Sequence, residues 1–325
     1  MKIGIIGCGA YAISLASILE NNTKNILMWT KIENEYNELI HNHTNLRVLN
    51  YQLNSKIKFT MDLNDLTNYS DIIIIAIPAK YVKNTIDELQ KYYSNQEILI
   101  ATKGMINDEL LLIDEYIKLK LDTDKISCIS GPSFANDIIK KMPIGLTLAS
   151  KNNNSLNILN NVFSNIKYLS IENINDITTV ELSSILKNII AIASGILNGM
   201  NINSSTKTKF LNDMIYEIQN IINSFNGNKN NFYTYAGIGD YLLTTTNIES
   251  RNYTFGTLIG ENKNVDNYIK INTIEGLENL YGMYFLLKDK NINSEIINIL
   301  YEIIYNNKDK VLLIDYLSKK RKLSS

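Results

Sequence analysis

The chain has 325 residues, 45% of them hydrophobic and 20% charged, with a net charge of −1. That length suits two domains, and the composition is that of an ordinary soluble globular protein with a packed core. The near-zero charge balance excludes a nucleic-acid or membrane-surface partner held by bulk electrostatics. Cys8 and Cys128 fall in predicted buried strands and form no C-x-x-C pair. This argues against a disulfide framework or a zinc site and fits a reducing, cytoplasmic setting. His41 and His43 stand two apart with no third ligand, so they read as a solvated loop and no metal is expected. Lys2 runs at once into a strand and a glycine turn, which is no secretory signal. The apolar run 189–197 is too short for a transmembrane segment. Asparagine-rich stretches such as KNNNS read as surface loops.

A buried strand over residues 2–6 leads into Gly7-Cys8-Gly9-Ala10-Tyr11-Ala12 and an apolar-periodic helix. This is the G-x-G-x-x-A form of the dinucleotide fingerprint. Gly7 permits the tight turn, Gly9 lets the backbone approach a pyrophosphate, and Ala12 keeps the helix close to the sheet. The N–H groups at the helix start, from Ala10 on, are offered to the anion. A second strand, 25–29, ends in Trp29-Thr30-Lys31, where NAD-selective proteins usually place an acid. The first acid is Glu33, which could fold back; a hydroxyl and a cation otherwise suit a 2′-phosphate, so the expectation leans to NADP(H).

Further alternation predicts a parallel sheet. Strands are expected over 71–77, 97–101 and 125–129, with a helix over 81–92 and two more strand–helix pairs up to Asn175. Lys103, in the loop at one strand's C-terminal end, is a candidate for a phosphate or carboxylate, against an exposed loop lysine. Ser130-Gly131-Pro132-Ser133-Phe134-Ala135 forms a turn opening a helix at the same edge.

From residue 176 the period becomes helical throughout, with helices expected over 176–200, 206–225, 233–246, 251–260, 275–287 and 294–305. The fold expected is an α/β Rossmann-type parallel-sheet domain, residues 1–175, followed by an all-α domain, residues 176–325. The first of these helices is apolar on almost every face, yet carries Lys187 and Asn188 in its middle. At helical spacing, Ser184, Ala191 and Ser194 make a strip of small residues beside Lys187, with room for a ligand. A buried lysine finds an anionic partner, lowers its pKa, or snorkels to the helix edge. Asp240 follows paired glycines in Tyr235-Ala236-Gly237-Ile238-Gly239. Ser250, Arg251 and Asn252 at a helix start can cradle an oxyanion, or Ser250 can be a plain N-cap.

Taken together, GCGAYAISLA, ATKG, SGPSFA, VELSSILKNIIAIASGI, YAGIGDYLLTTT, SRNYTFGTLIG and IEGL resemble bacterial NAD(P)-dependent glycerol-3-phosphate dehydrogenases, in the family's order. The resemblance implies sn-glycerol 3-phosphate and dihydroxyacetone phosphate as substrates, NADP(H) or NAD(H) as cofactor, and supply of glycerophospholipid synthesis. It makes Lys187 the general acid/base, and the mechanism expected from this has Asp240 orient that lysine. It places Lys103 on cofactor and substrate, Gly131 and Ser133 on substrate, and Ala135 on cofactor. Asp240, Ser250, Arg251 and Asn252 become the substrate set, with Arg251 also reaching the cofactor. Tyr11, Lys31 and Glu275 match cofactor contacts. A homodimer is a possible assembly, and no nucleic acid is involved. The chain departs from the family at Tyr11-Ala12, at Ser183-Ser184, at Lys31, and at Asn212-Asp213-Met214, where Thr-Arg-Gly is usual. The rival readings are another β-hydroxyacid reductase, such as a ketopantoate reductase, and a non-catalytic NADP(H) redox sensor.

Overall fold

A computed structural model describes residues 1–23 and 25–319. Strand β1 (Ile3–Ile6) leads to helix α1 (Ala10–Leu19), and β2 (Ile26–Trp29) to α2 (Glu33–Asn42). A ribbon of β3 (Thr44–Asn45) and β4 (Val48–Gln52) follows, then β5 (Lys58–Thr60) and α3 (Leu63–Tyr69). Next come β6 (Ile72–Ile75), α4 (Ala79–Leu89) and β7 (Glu97–Ile100), and a hairpin of β8 (Met105–Ile106) and β9 (Leu111–Leu112). Helix α5 (Ile113–Leu121), β10 (Ile126–Ser130), α6 (Ala135–Ile139), β11 (Ile144–Ser150), α7 (Asn153–Phe163) and β12 (Leu169–Ile174) complete this half.

The main sheet has the order β12-β11-β10-β7-β6-β1-β2-β5. Its strands from β5 to β10 all run parallel. Taken by their place in the chain, they follow the 3-2-1-4-5-6 order of a doubly wound dinucleotide-binding sheet. Ile3 and Ile5 pack towards α1 while Ile6 packs towards α3 and α4. Burial on both faces is why these strands read as unbroken apolar runs. At β11 the sheet departs from the expectation, because β11 runs antiparallel to β10 and β12 runs parallel to β11. The five-residue α6 is pinned to α1, with Ser14 Oγ donating to Ala135 O at 3.0 Å. It does not carry the chain across the sheet, so the chain turns back beside β10. The two strand–helix pairs expected here are therefore a strand, a helix and a strand.

Two smaller corrections concern side chains. Cys8 lies in the glycine turn rather than in a strand; Cys128 is in β10. Burial pushes both thiols well up. His41 closes α2 and His43 is its left-handed cap, edge-on to Phe59, so the loop expected there is a helix end.

The second half consists of α8 (Ile177–Gly199), α9 (Ser204–Ser224), α10 (Asp240–Thr246) and α11 (Arg251–Gly260), then α12 (Asp266–Ile271), α13 (Glu275–Asp289), α14 (Glu295–Tyr305) and α15 (Leu312–Ser318). The single helix expected over 233–246 is a 3-10 turn, a π-turn over Tyr235–Gly239, and then α10. Gly237 sits where an added Cβ would fall on the Phe232 carbonyl, which explains the tight turn before Asp240. Helices α12 and α15 are additional to those expected.

Helix α8 has the length and hydropathy of a membrane span, yet it is the enclosed centre of the helical half. Asp176 caps it, accepting from Thr179 N and Oγ1, Asn228 N and Asn231 Nδ2. Burial opposes ionisation of Asp176, but these hydrogen bonds outweigh it and hold its carboxyl below the usual range. Gly195 and Gly199 of α8 face Gly256 and Gly260 of α11. A Cβ at any of the four would fall on the other helix's backbone. Gly256→Ala is therefore expected to lower stability by about 1–3 kcal/mol through overpacking. Equilibrium urea unfolding checks this, and an unchanged midpoint would refute the close-packing argument. Met214, in the segment that departs from the family, is buried in the same core. The β8–β9 hairpin joins the halves, placing Met105 and Leu112 in the helical core, with Asn107 Nδ2 donating to Glu278 O at 3.0 Å.

Candidate active site

Gly7 has φ +121°, a backbone conformation that side chains rarely adopt, and a Cβ there would meet Ala76 O at 2.5 Å. Gly9 precedes α1 with no side-chain cap, and the space beyond its Cα is open apart from Arg47 Nη1 at 3.7 Å. A turn whose two glycines present bare backbone, over a free helix N-terminus, fits the pyrophosphate of a dinucleotide. This turn and Lys103, just past β7, share the C-terminal edge of the sheet. Tyr11 reaches from α1 under Lys103, whose Nζ is 5.6 Å from the ring centroid.

Asp240 brings the two candidate lysines together. Its Oδ1 is 2.5 Å from Lys187 Nζ and its Oδ2 is 2.9 Å from Lys103 Nζ. Asp240 is 1% exposed and Lys187 4%, so neither snorkels to water. Thr244, one helical turn after Asp240, accepts from Lys187 Nζ at 3.0 Å and donates to Asp240 Oδ1 at 3.3 Å. Ser130 Oγ, at the end of β10, donates to Asp240 Oδ2 at 3.5 Å.

The electrostatics separate the two lysines. Burial pushes the Lys187 ammonium down, Asp240 pulls it back and the Lys103 charge pushes it down again. The result is a pKa lowered to about 7. Burial opposes the charge of Lys103 as well, but Asp240 and Tyr11 outweigh it and Lys103 stays above the ordinary lysine value. Burial also works against the Asp240 carboxylate, and the two lysines overcome it, leaving its pKa lowered. One lysine is thus a permanent cation and the other exchanges a proton near neutrality. That divergence is how acid–base roles are recognised.

The strip of small residues along α8 is not wholly open to a ligand. At Ser194 it is covered by α10, where the Ser194 hydroxyl donates to Thr245 O at 2.7 Å. Gly131 lies where a Cβ would meet Gly145 O at 2.5 Å. Ser133 Oγ donates to Gly131 O at 3.0 Å, and Ala135 begins α6.

Of the Ser250–Asn252 group, Ser250 serves as the N-cap of α11, accepting from Tyr253 N at 3.3 Å. Asn252 joins three helices: its Nδ2 donates to Asn188 Oδ1 and its Oδ1 accepts from Gly276 N, both at 2.9 Å. Asn188 Nδ2 in turn donates to Glu275 Oε2 at 3.1 Å. Arg251 is half-exposed, with Nη2 3.9 Å from Glu275 Oε1. Its guanidinium is the one charged group of the three.

At the end of β2 the arrangement differs from the expectation. Lys31 is exposed and pairs with Glu88 Oε2 at 2.7 Å, its Nζ 5.5 Å from the Trp29 ring centroid. The Thr30 hydroxyl donates to Glu35 Oε2 at 2.6 Å, so the acid folding back is Glu35, not the exposed Glu33.

Thr244, Ser130, Asn188 and Glu35 had no role in the sequence reading. Thr244 was within reach of it, being four residues from Asp240 on one helix. Among the described residues no three His, Cys, Asp or Glu side chains converge as metal ligands. A surface cavity of about 640 Å3 beside the β3–β4 ribbon is lined by His41, Asn45, Tyr51 and neighbours, and by none of Lys103, Lys187 or Asp240.

Comparison with known proteins gives a consistent result. The family descriptions NAD-dependent glycerol-3-phosphate dehydrogenase N-terminus and C-terminus match residues 2–156 and 176–315. The glycerol-3-phosphate dehydrogenase (NAD(P)+) of Staphylococcus haemolyticus is 32% identical over 94% of each chain. That of Staphylococcus aureus strain bovine RF122 is 30% identical over 94% of each. The crystal structure of glycerol-3-phosphate dehydrogenase from Coxiella burnetii superposes with a TM-score of 0.92 at 25% identity, covering 98% of this chain and 99% of that one. The chain belongs to the NAD(P)-dependent glycerol-3-phosphate dehydrogenase family of oxidoreductases.

Proposed function

We propose that the Lys187–Asp240–Lys103 cluster carries the proton half of the interconversion of dihydroxyacetone phosphate and sn-glycerol 3-phosphate. The observation behind this is one buried carboxylate shared by two lysines, of which only Lys187 titrates near neutrality. Bound NAD(P)H supplies the hydride to the ketone carbon. Protonated Lys187 gives its proton to the carbonyl oxygen of dihydroxyacetone phosphate, and neutral Lys187 takes the hydroxyl proton in the reverse direction. Asp240 and Thr244 hold the lysine in line. Lys103, always charged, stabilises negative charge developing on the substrate oxygen.

Gly7, Gly9, Ala10 and Tyr11 hold the dinucleotide, together with Ala135, Glu275 and Lys103. Gly131, Ser133, Ser250 and Asn252 shape the substrate site, and Arg251 clamps the phosphate by two parallel hydrogen bonds. The two halves meet at about Asn175: the glycine turn that holds the dinucleotide lies before it, Lys187, Asp240 and the Ser250–Asn252 group lie after it, and each half lends residues to the other's ligand. Arg47 supports NADP(H), while the Glu35 carboxylate opposes it. Cytoplasmic supply of sn-glycerol 3-phosphate to glycerophospholipid synthesis, by a homodimer, is the physiological role proposed.

The test is oxidation of NADPH and of NADH by the purified protein, with dihydroxyacetone phosphate and with unphosphorylated dihydroxyacetone. Turnover of the phosphorylated ketone is expected. Arg251→Leu should raise its KM about 10–100-fold, the cost of losing hydrogen bonds between charged groups. Indifference to the phosphate, or to Arg251, would point to a β-hydroxyacid reductase instead.

A further inference from the structure

In a doubly wound fold the end of the second strand is where an acid receives the adenosine-ribose hydroxyls. Thr30 and Lys31 leave that position without one, and the fold supplies it from elsewhere. Glu35, in the first turn of α2, turns back to Thr30, and its side chain is only 11% exposed. Its other oxygen, Oε1, faces Asn45 Nδ2 at 3.4 Å and Arg47 Nε at 3.8 Å.

The β3–β4 ribbon is fixed to the glycine turn by the same asparagine. Asn45 Nδ2 donates to Cys8 O at 2.8 Å, and Asn45 Oδ1 accepts from Arg47 N at 2.8 Å. Arg47 is thereby held with its guanidinium at the open side of Gly9, its side chain 59% exposed. An anchored carboxylate and an exposed cation stand together beside the pyrophosphate turn. Lys31, paired with Glu88, is engaged elsewhere.

We propose that Glu35 and Arg47 decide which dinucleotide is bound. Glu35 receives the ribose hydroxyls of NAD(H), and Arg47 takes the 2′-phosphate of NADP(H). This rests on the dinucleotide site proposed above and specifies its chemistry. A 2′-phosphate brought beside Glu35 is repelled, and Arg47, leaving the carboxylate for the phosphate, offsets that repulsion. With NAD(H) there is no added charge, and Glu35 accepts hydrogen bonds while Arg47 remains its counter-ion. The hydrogen bond from Thr30 keeps the carboxylate in place in both cases.

The experiment is isothermal titration calorimetry of NADH and NADPH against the wild-type protein, Glu35→Gln and Arg47→Leu, at low salt. Adenosine 2′,5′-bisphosphate serves as a fragment that reports the 2′-phosphate alone. Glu35→Gln should weaken NADH and tighten NADPH, moving the ratio of their Kd values by about tenfold or more. Arg47→Leu, at an exposed position, should move the ratio about tenfold the other way and weaken the bisphosphate. Ratios within about twofold of wild type in both variants would overturn the proposal and leave the dinucleotide site standing. Failure of the wild-type protein to bind either nucleotide would overturn both.

Discussion

Lys187→Ala is expected to lower the rate of dihydroxyacetone phosphate reduction about 10²–10⁴-fold, the range for losing a positioned acid–base group. The loss should lie in kcat. The variant keeps the Lys103–Asp240 pair, so no buried carboxylate is left without a partner, and NAD(P)H binding at the proposed glycine-turn site is expected to be unchanged. Lys187→Arg discriminates further. A guanidinium restores the charge beside Asp240 but cannot give up a proton in a protein. That variant should therefore remain as slow as the alanine one. If arginine rescued turnover, the role of Lys187 would be electrostatic and the proton would come from another group. Single-turnover kinetics make the comparison cleanly, because product release limits the steady-state rate of many enzymes.

Asp240→Asn should have the largest combined effect on stability and rate. The carboxylate is the only counter-charge in contact with Lys103 and Lys187 among the described residues. Removing one side of a buried ion pair costs about 3–5 kcal/mol, because the remaining charge is stranded. Here two are stranded, and the cheaper relief is for Lys187 to lose its proton. Asp240 raises the pKa of both lysines, so its loss drops that of Lys187 further below about 7. At neutral pH the variant then lacks the acid needed for reduction. A lower melting temperature together with a pH–rate profile displaced to more acidic values is expected. A lower melting temperature with an unmoved profile would make Asp240 a structural residue only.

The parts of this site carried by local sequence were legible. The glycine turn announces itself because Gly7 and Gly9 sit between a strand and a helix within three residues. Lys187 stands out because a charge in the middle of a wholly apolar helix demands an explanation. Asp240 is marked by the glycines before it. What lay hidden depends on contacts between distant segments. Glu35 becomes the acid at the end of β2 only because α2 starts where it does, and the sequence offered Glu33 with equal right. That Ser250 also caps α11 and that Asn252 also ties Asn188 to Gly276 shows only in the fold. The reversal of β11 goes with an α6 of only five residues lying against α1, a tertiary contact that no periodicity encodes. The matched glycines of α8 and α11 were present as two four-residue spacings. Their meaning appears only when the helices are seen to cross there.

If Lys187 moves the proton, the sign of the pH dependence follows the direction of reaction. Reduction needs the ammonium form, which disappears as pH rises through about 7, while oxidation needs the neutral amine, which appears over the same interval. The decisive measurement is the single-turnover rate of the chemical step in both directions from about pH 6 to 8. The predicted result is a falling rate for dihydroxyacetone phosphate reduction and a rising rate for sn-glycerol 3-phosphate oxidation, both lost in Lys187→Arg. Profiles that are flat, or that slope the same way in both directions, would contradict it.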